Sequence, residues 1–187
     1  IAQVCEALCA RVLRSLDQGE LPLVLGGDHS LAMGSVAAAA AAARAAGERL
    51  GLVWLDAHGD MNTPASSPSG NIHGMPLACL LGDGDPRLVG VGGRVSAVDA
   101  GDVALIGVRA IDPLERDAIR ERGVHTWTMR DVDHRGLGPV MEEALAQLRG
   151  CDRLHVSFDV DFLDPMIAPG VGTRVRGGPT YRESHLA

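Results

Sequence analysis

The most constraining feature of the 187-residue chain is the stretch 51–76, GLVWLDAHGDMNTPASSPSGNIHGMP, in which a short apolar run ends in Asp56, His58 and Asp60. Leu52, Val53, Trp54 and Leu55 read as a buried parallel strand, being too short for a helix and suited to a pleated sheet. Side chains alternate across an extended backbone, so positions i, i+2 and i+4 project to one side, with the small residues Ala57 and Gly59 between them. Three metal-type ligands can therefore converge on one point. A single Asp or His after a strand is usually a turn former or a helix cap. A DxHxD set is different, because carboxylates held close together need a cation between them.

Two further apolar runs end in the same way. Leu21 to Leu25, LPLVL, reads as a strand that runs into Gly26, Gly27, Asp28, His29 and Ser30 and then into an alanine-rich helix over 31–46. Residues 153–159, RLHVSFD, read as another strand, followed by Asp161 two positions after Asp159 and so on the same side of an extended chain. Between them, 102–107 (DVALIG) reads as a strand, 112–122 as a charged surface helix, 124–129 as a short edge strand and 137–149 as a helix with Val140, Ala144, Leu145 and Leu148 inward. Residues 1–19 carry Ile1, Val4, Cys5, Leu8, Val12, Leu13 and Leu16 at helical spacing, the mark of an amphipathic helix packed on the rest. The Gly-rich 82–94 segment opens no helix after a strand with a GxGxxG pattern and carries no chemistry. His125, His134 and His155 have no partner pattern and read as structural.

Strands alternating with helices specify an α/β fold: a three-layer α/β/α sandwich with a mostly parallel sheet, formed as a single domain over 1–187. Ligands of such sheets sit outside the carboxyl ends of the strands. A formal net charge of -7 argues against a nucleic-acid or anionic-membrane partner. No apolar stretch is long enough to span a bilayer, the alanine run being interrupted by Arg44. Cys5, Cys9, Cys79 and Cys151 form no CxxC pair, which fits reduced thiols in a cytoplasm.

The three strand ends together offer four carboxylates and two imidazoles: His29; Asp56, His58 and Asp60; Asp159 and Asp161. That set exceeds the needs of one divalent ion and suits two that share bridging carboxylates, four negative charges matching four positive ones. Oxygen-rich ligation without thiolates favours Mn2+ over structural zinc, with Co, Ni or Fe as lesser possibilities. Two such ions roughly 3.5–4 Å apart lower the pKa of a shared water, so hydrolysis at a polarised centre is the expected reaction. The metals alone do not choose a substrate, because phosphoesterases use pairs as well.

The strings GGDHS (26–30), DAHGDMNTP (56–64), SGNIHGMP (69–76), SFDVDFLDP (157–165) and APGVGT (168–173) resemble the ureohydrolase family, on its bacterial arginase side, over essentially the whole chain. The resemblance implies that His29, Asp56, Asp60 and Asp159 hold one Mn2+ and His58, Asp56, Asp159 and Asp161 the other, with Asp56 and Asp159 bridging. It implies hydrolysis of L-arginine to L-ornithine and urea by a metal-bridging hydroxide, with Asp60 passing a proton to the departing amine and His73 as the shuttle to solvent. Asn62 and Ser69 match positions that bind the α-carboxylate of the amino acid, and Asp112 the one facing its α-amino group. Neutral donors for a carboxylate and an acid for an ammonium make physical sense. Relatives assemble as trimers or hexamers, so a homo-oligomer is expected.

Some positions depart from the family pattern. Arg174 stands where Pro usually follows GT, Pro179 where Leu or Ile precedes TYRE, and Ala110 where many relatives carry Asp. The family also has a first strand upstream of residue 1 and a last strand beyond residue 187, so the chain reads as part of a longer one. The alternatives are an agmatinase or other guanidino-compound hydrolase using the same metals, and a non-catalytic metal-binding fragment or assembly subunit.

Overall fold

A computed structural model describes residues 1–93 and 95–187; Arg94, at the end of the Gly-rich connection, lies outside the described residues. Four strands form one parallel sheet in the order β3-β2-β1-β4: β1 Leu50–Leu55, β2 Val103–Val108, β3 His125–Thr128 and β4 Arg153–Phe158. Every residue of β1 and β2 is buried, as the unbroken apolar runs require of strands covered on both faces.

The alternation of the strands sorts the core into two layers. On one face Leu52 and Trp54 of β1 and Leu105 of β2 pack against Val36, Ala40 and Ala43 of helix α2 (Ala32–Ala45), together with Leu77 of α3 (Pro76–Leu80). On the other, Val53 and Leu55 of β1 and Ile106 of β2 meet Val132 of α6 (Met129–Arg135) and Val140 and Ala144 of α7 (Leu137–Gln147). Each fully buried aliphatic side chain contributes about 1.5–3 kcal/mol of transfer free energy. Helix α1 (Ala2–Asp17) lies outside α2 and buries Cys5, Cys9 and Val12. Two residues at its N-terminal end that the spacing turns inward, Ile1 and Val4, are exposed, while Cys5 beside them is fully buried. The short α4 (Pro86–Val89), the surface helix α5 (Pro113–Arg122) and α8 (Tyr181–Ser184) complete the described elements.

Three further expectations from the sequence do not hold. The segment 21–25 forms no strand: Leu21, Leu23 and Leu25 are 96%, 83% and 85% exposed, and no ladder joins them to the sheet. A strand is defined by its partner as much as by its composition, and among the described residues none lies alongside. The facing edge of β4 is correspondingly open, with Leu154, Val156 and Phe158 exposed. Second, Leu145 of α7 points outward, 41% exposed. Third, α6 was not anticipated, although Thr128 and Asp131 form the capping box that starts it.

From β1 the chain winds through β2 to β3 on one side and then crosses back to place β4 on the other side of β1. The winding direction thus reverses between β1 and β4, and the crevice beyond the carboxyl ends of those two strands is where a doubly wound sheet can receive a ligand.

Candidate metal centre

The register of the sheet brings the two acidic strand ends together. Leu55 pairs with Phe158, so Asp56 and Asp159 leave the sheet side by side. The Asp159 amide donates to the Leu55 carbonyl at 2.9 Å, and the Asp56 amide donates to that of Ile106 at 3.1 Å. Beyond β4 the chain makes a 3-10 turn, Val160–Phe162, whose Asp161 amide donates to the Asp159 carboxylate at 2.9 Å. His29 opens a second such turn, His29–Leu31, with Asp28 as its cap.

The six side chains meet in one place. His29 Nδ1 lies 2.8 Å from Asp56 Oδ2, 3.0 Å from Asp60 Oδ2 and 3.3 Å from Asp159 Oδ2. His58 Nδ1 lies 3.1 Å from Asp161 Oδ2 and 3.3 Å from Asp56 Oδ1. Two groups of ligand atoms, each within 4.8 Å of one another, follow: His29, Asp56 and Asp60, and Asp56, His58 and Asp161. Asp56 belongs to both, presenting one oxygen to each. Asp159 stands outside these two sets and reaches the first through its contact with His29.

The electrostatics are those of an anionic cup. Asp56, Asp60 and Asp161 are almost completely buried. Burial alone would raise Asp56, but hydrogen bonds from His29 and His58 outweigh it and hold its carboxyl below the usual carboxylate range. Asp60 is pushed well up, by burial first and then by the charge of Asp56, and Asp159 rises for the same two reasons. Burial would depress both histidines, yet their carboxylate partners raise each to about 10.

The donor set fits divalent cations. His29 Nδ1 can give its single hydrogen to one of the three carboxylate oxygens around it, and Asp60 Oδ2, buried, is left without a hydrogen bond. A cation held by a neutral imidazole nitrogen and several carboxylate oxygens would satisfy all of them at once.

Several supporting residues escaped the sequence reading. Ser157 Oγ lies 2.8 Å from His29 Nε2, and the Trp54 indole stacks on the His29 ring at 4.1 Å while its N–H donates to Asp56 Oδ2 at 3.2 Å. The Thr173 hydroxyl donates to Asp161 Oδ2 at 2.6 Å. Such outer contacts fix the orientation of ligands. A signal existed for Ser157 and Trp54, each two residues before a ligand and hence on its side of a strand; none existed for Thr173, twelve residues beyond Asp161. Asp60 is the one non-glycine residue with positive φ (51°) among the described residues, a conformation Asp tolerates. Beside it, a Cβ on Gly59 would stand 2.9 Å from Glu115 Oε1 and from Ile119 Cδ1, so a larger residue there would have to displace those side chains.

The residues expected to hold a substrate are less tightly gathered. Asn62 is buried and its Nδ2 donates to Asp112 Oδ2 at 3.1 Å. Ser69 is exposed, and its hydroxyl accepts from the Asn71 amide within the same loop at 3.2 Å. His73 lies in a 3-10 turn, Ile72–Gly74, half-buried. All four line one open cleft of about 1850 Å3 together with His29, His58, Asp60, Asp159 and Asp161, and the cleft extends along the exposed edge of β4.

A parallel α/β sheet whose switch point gathers four aspartates and two histidines, with no thiolate among them, defines an α/β protein with a candidate metal centre. The arginase family model matches residues 1–187, and the chain belongs to the arginase family. It is 52% identical to the arginase of Bacillus caldovelox over 188 residues, covering 100% of this chain and 62% of that arginase. Among solved structures, Bacillus cereus arginase superimposes with a TM-score of 0.95 at 49% identity, over 99% of this chain and 63% of that one. Entamoeba histolytica arginase in complex with L-ornithine gives a TM-score of 0.91 at 37% identity, over 98% of this chain and 61% of that one. The chain thus spans just over three fifths of the length of the arginases it matches. No helix among the described residues is long and apolar enough to cross a membrane.

Proposed function

We propose that the protein containing this chain hydrolyses L-arginine to L-ornithine and urea at a pair of Mn2+ ions, in a cytoplasmic homo-oligomer, trimeric or hexameric. The observation that carries this reading is the burial of Asp56 between two imidazoles, one carboxylate oxygen directed to each. Relatives at about half identity, those of Bacillus caldovelox and Bacillus subtilis, are named arginases, which points to the same reaction. His29, Asp56, Asp60 and Asp159 would hold one ion, and His58, Asp56, Asp159 and Asp161 the other. When bound, the pair lowers the pKa of a water between them and so supplies a nucleophile near neutral pH.

The chain's own groups do the rest. Asp60 accepts the proton of the attacking water, whose oxygen adds to the guanidinium carbon. The bond from that carbon to Nε breaks as Asp60 returns the first proton to the departing nitrogen; the water's second proton leaves the oxygen as the urea carbonyl forms, and the ornithine side-chain amine takes up one further proton. His73, at the rim of the cleft, exchanges the amine's further proton with solvent. Asn62 and Ser69 donate to the α-carboxylate, and Asp112 accepts from the α-ammonium. Solvent-facing Ser69 is the weakest member of that set, which keeps agmatine, lacking the carboxylate, in view.

The test is urea release from arginine and from agmatine by the Mn2+-loaded protein. Preference for arginine by at least 100-fold in kcat/KM is the expected result. Preference for agmatine would overturn the roles of Asn62 and Ser69. Two bound ions with no urea from either substrate would support a non-catalytic metal-binding role.

A further inference from the structure

Arg109, the residue just after β2, has no part in the reaction described above. Its guanidinium is half-buried, and every one of its hydrogen bonds goes to a backbone carbonyl. Nη1 donates to Gly107 O at 3.3 Å and Phe162 O at 3.0 Å; Nη2 donates to Asp161 O at 2.8 Å, Leu163 O at 3.3 Å and Val175 O at 2.9 Å; Nε donates to Val175 O at 3.3 Å. Three of these carbonyls belong to consecutive residues 161–163, which include the candidate ligand Asp161. A fourth belongs to the loop that follows Thr173, whose hydroxyl holds Asp161 Oδ2.

The two loops are joined a second time by Asp164. Its carboxylate accepts from the amides of Gly177 at 2.8 Å and Gly178 at 3.3 Å, and its own amide donates to Pro179 O at 3.1 Å. The packing at this junction leaves no slack: a Cβ on Gly178 would stand 2.6 Å from Arg109 Nη2 and from Phe162 O. Arg109 is itself anchored to the other acidic strand end, its amide donating to Ala57 O at 2.9 Å, while the Ala57 amide donates to Asp161 Oδ1 at 3.3 Å.

We propose that Arg109 is a positioning residue that clasps the 161–163 turn and the 173–178 loop together from beneath, and so sets Asp161 at the distance from Asp56 and His58 that the second cation requires. The inference rests on the metal-centre reading. A planar guanidinium with five fixed donors can address carbonyls on three segments at once, which an ammonium on a flexible stem cannot. Without it the carbonyls of 161–163 would turn toward water, and Asp161 with them.

The experiment compares wild type with Arg109→Lys and Arg109→Met by Mn2+ titration calorimetry and by electron paramagnetic resonance, which distinguishes a spin-coupled Mn pair from isolated ions. Both variants are expected to keep one ion near wild-type affinity, to bind the other 10- to 100-fold more weakly, and to lose the coupled signal at sub-saturating Mn2+. Leu148→Ala, a buried core truncation at the C-terminal cap of α7 away from the cleft, serves as the control for simple destabilisation. Two ions bound normally with an unaltered coupled signal in both Arg109 variants would overturn the proposal, as would an equal loss in Leu148→Ala. Wild type that itself binds no Mn2+ would instead overturn the metal-centre reading on which the proposal rests.

Discussion

Glu115 links the candidate metal loop to the candidate substrate rim, and its removal has a size that can be worked out. It lies in the first turn of α5 and is 3% exposed; one carboxylate oxygen accepts from the Met61 amide at 3.0 Å and the other from the Asp112 amide at 3.2 Å. The first bond holds the residue that follows Asp60 in its left-handed turn, and the second is half of the capping box that starts α5. In Glu115→Ala the buried Met61 amide loses its acceptor, a cost of about 1–3 kcal/mol. Losing the bond from the Asp112 amide, half of the capping box, costs a further ~0.5–1.5 kcal/mol. The wild-type carboxyl, however, is itself raised by burial, so its removal relieves part of the desolvation it suffers. A net destabilisation of about 1–4 kcal/mol follows, or roughly 2–15 °C in Tm for a chain of this size. Glu115→Gln keeps one acceptor and turns its amide toward the other donor, so it should fall roughly halfway. The assay is thermal unfolding followed by circular dichroism, in Mn2+ and in chelator. Glu115→Ala within about 0.5 kcal/mol of wild type would refute the reasoning, because it would mean that the Met61 amide finds another acceptor.

Other perturbations test other parts of the site. His73→Asn should lower kcat by ~10-fold or more while two ions still bind, and a loss of metal in that variant, read by elemental analysis, would refute a proton-transfer role. Stripping metal with a chelator should lower Tm, because ions present at about 100 times their Kd contribute ~2.7 kcal/mol per site; an unchanged melting curve would mean that no ion is bound in the folded state. His155, on β4, is pushed down by burial from its ordinary 6.5 to about 4. The folded pKa lies below the unfolded one, so the stability associated with neutral His155 is complete above pH 6.5 and is lost as pH falls toward 4. At ~1.36 kcal/mol per unit the loss is at most about 3 kcal/mol. Denaturant titrations of wild type and His155→Gln across this range should diverge accordingly, and parallel acid profiles would count against burial as the cause.

What could be read without coordinates follows from how local each signal is. The candidate ligand set at 56–60 was legible because one rule, the alternation of an extended chain, acts within five residues of an apolar run whose burial is itself evident. β2, β3 and β4 were legible for the same reason, and the gathering of their ends followed from strand–helix alternation. LPLVL was misread for the converse reason: Leu21, Val24 and Leu25 have the composition of a strand, but a ladder is a relation between two segments, and composition at one of them cannot supply the other. Thr173, Glu115 and Arg109 belong to the same category. Glu115 and Arg109 act on residues 54 and 52 positions away, and Thr173 on one twelve away, each through one hydroxyl, carboxylate or guanidinium that looks from the sequence like any surface polar group. The division has a physical basis. Metal ligands must be strong donors close together, a demand that leaves few residue types and few spacings, whereas the groups that orient them need only one hydrogen bond of suitable direction. A reading of the residues alone therefore finds the ligands before it finds what aims them, and Arg109, which touches only backbone, lies at the far end of that order.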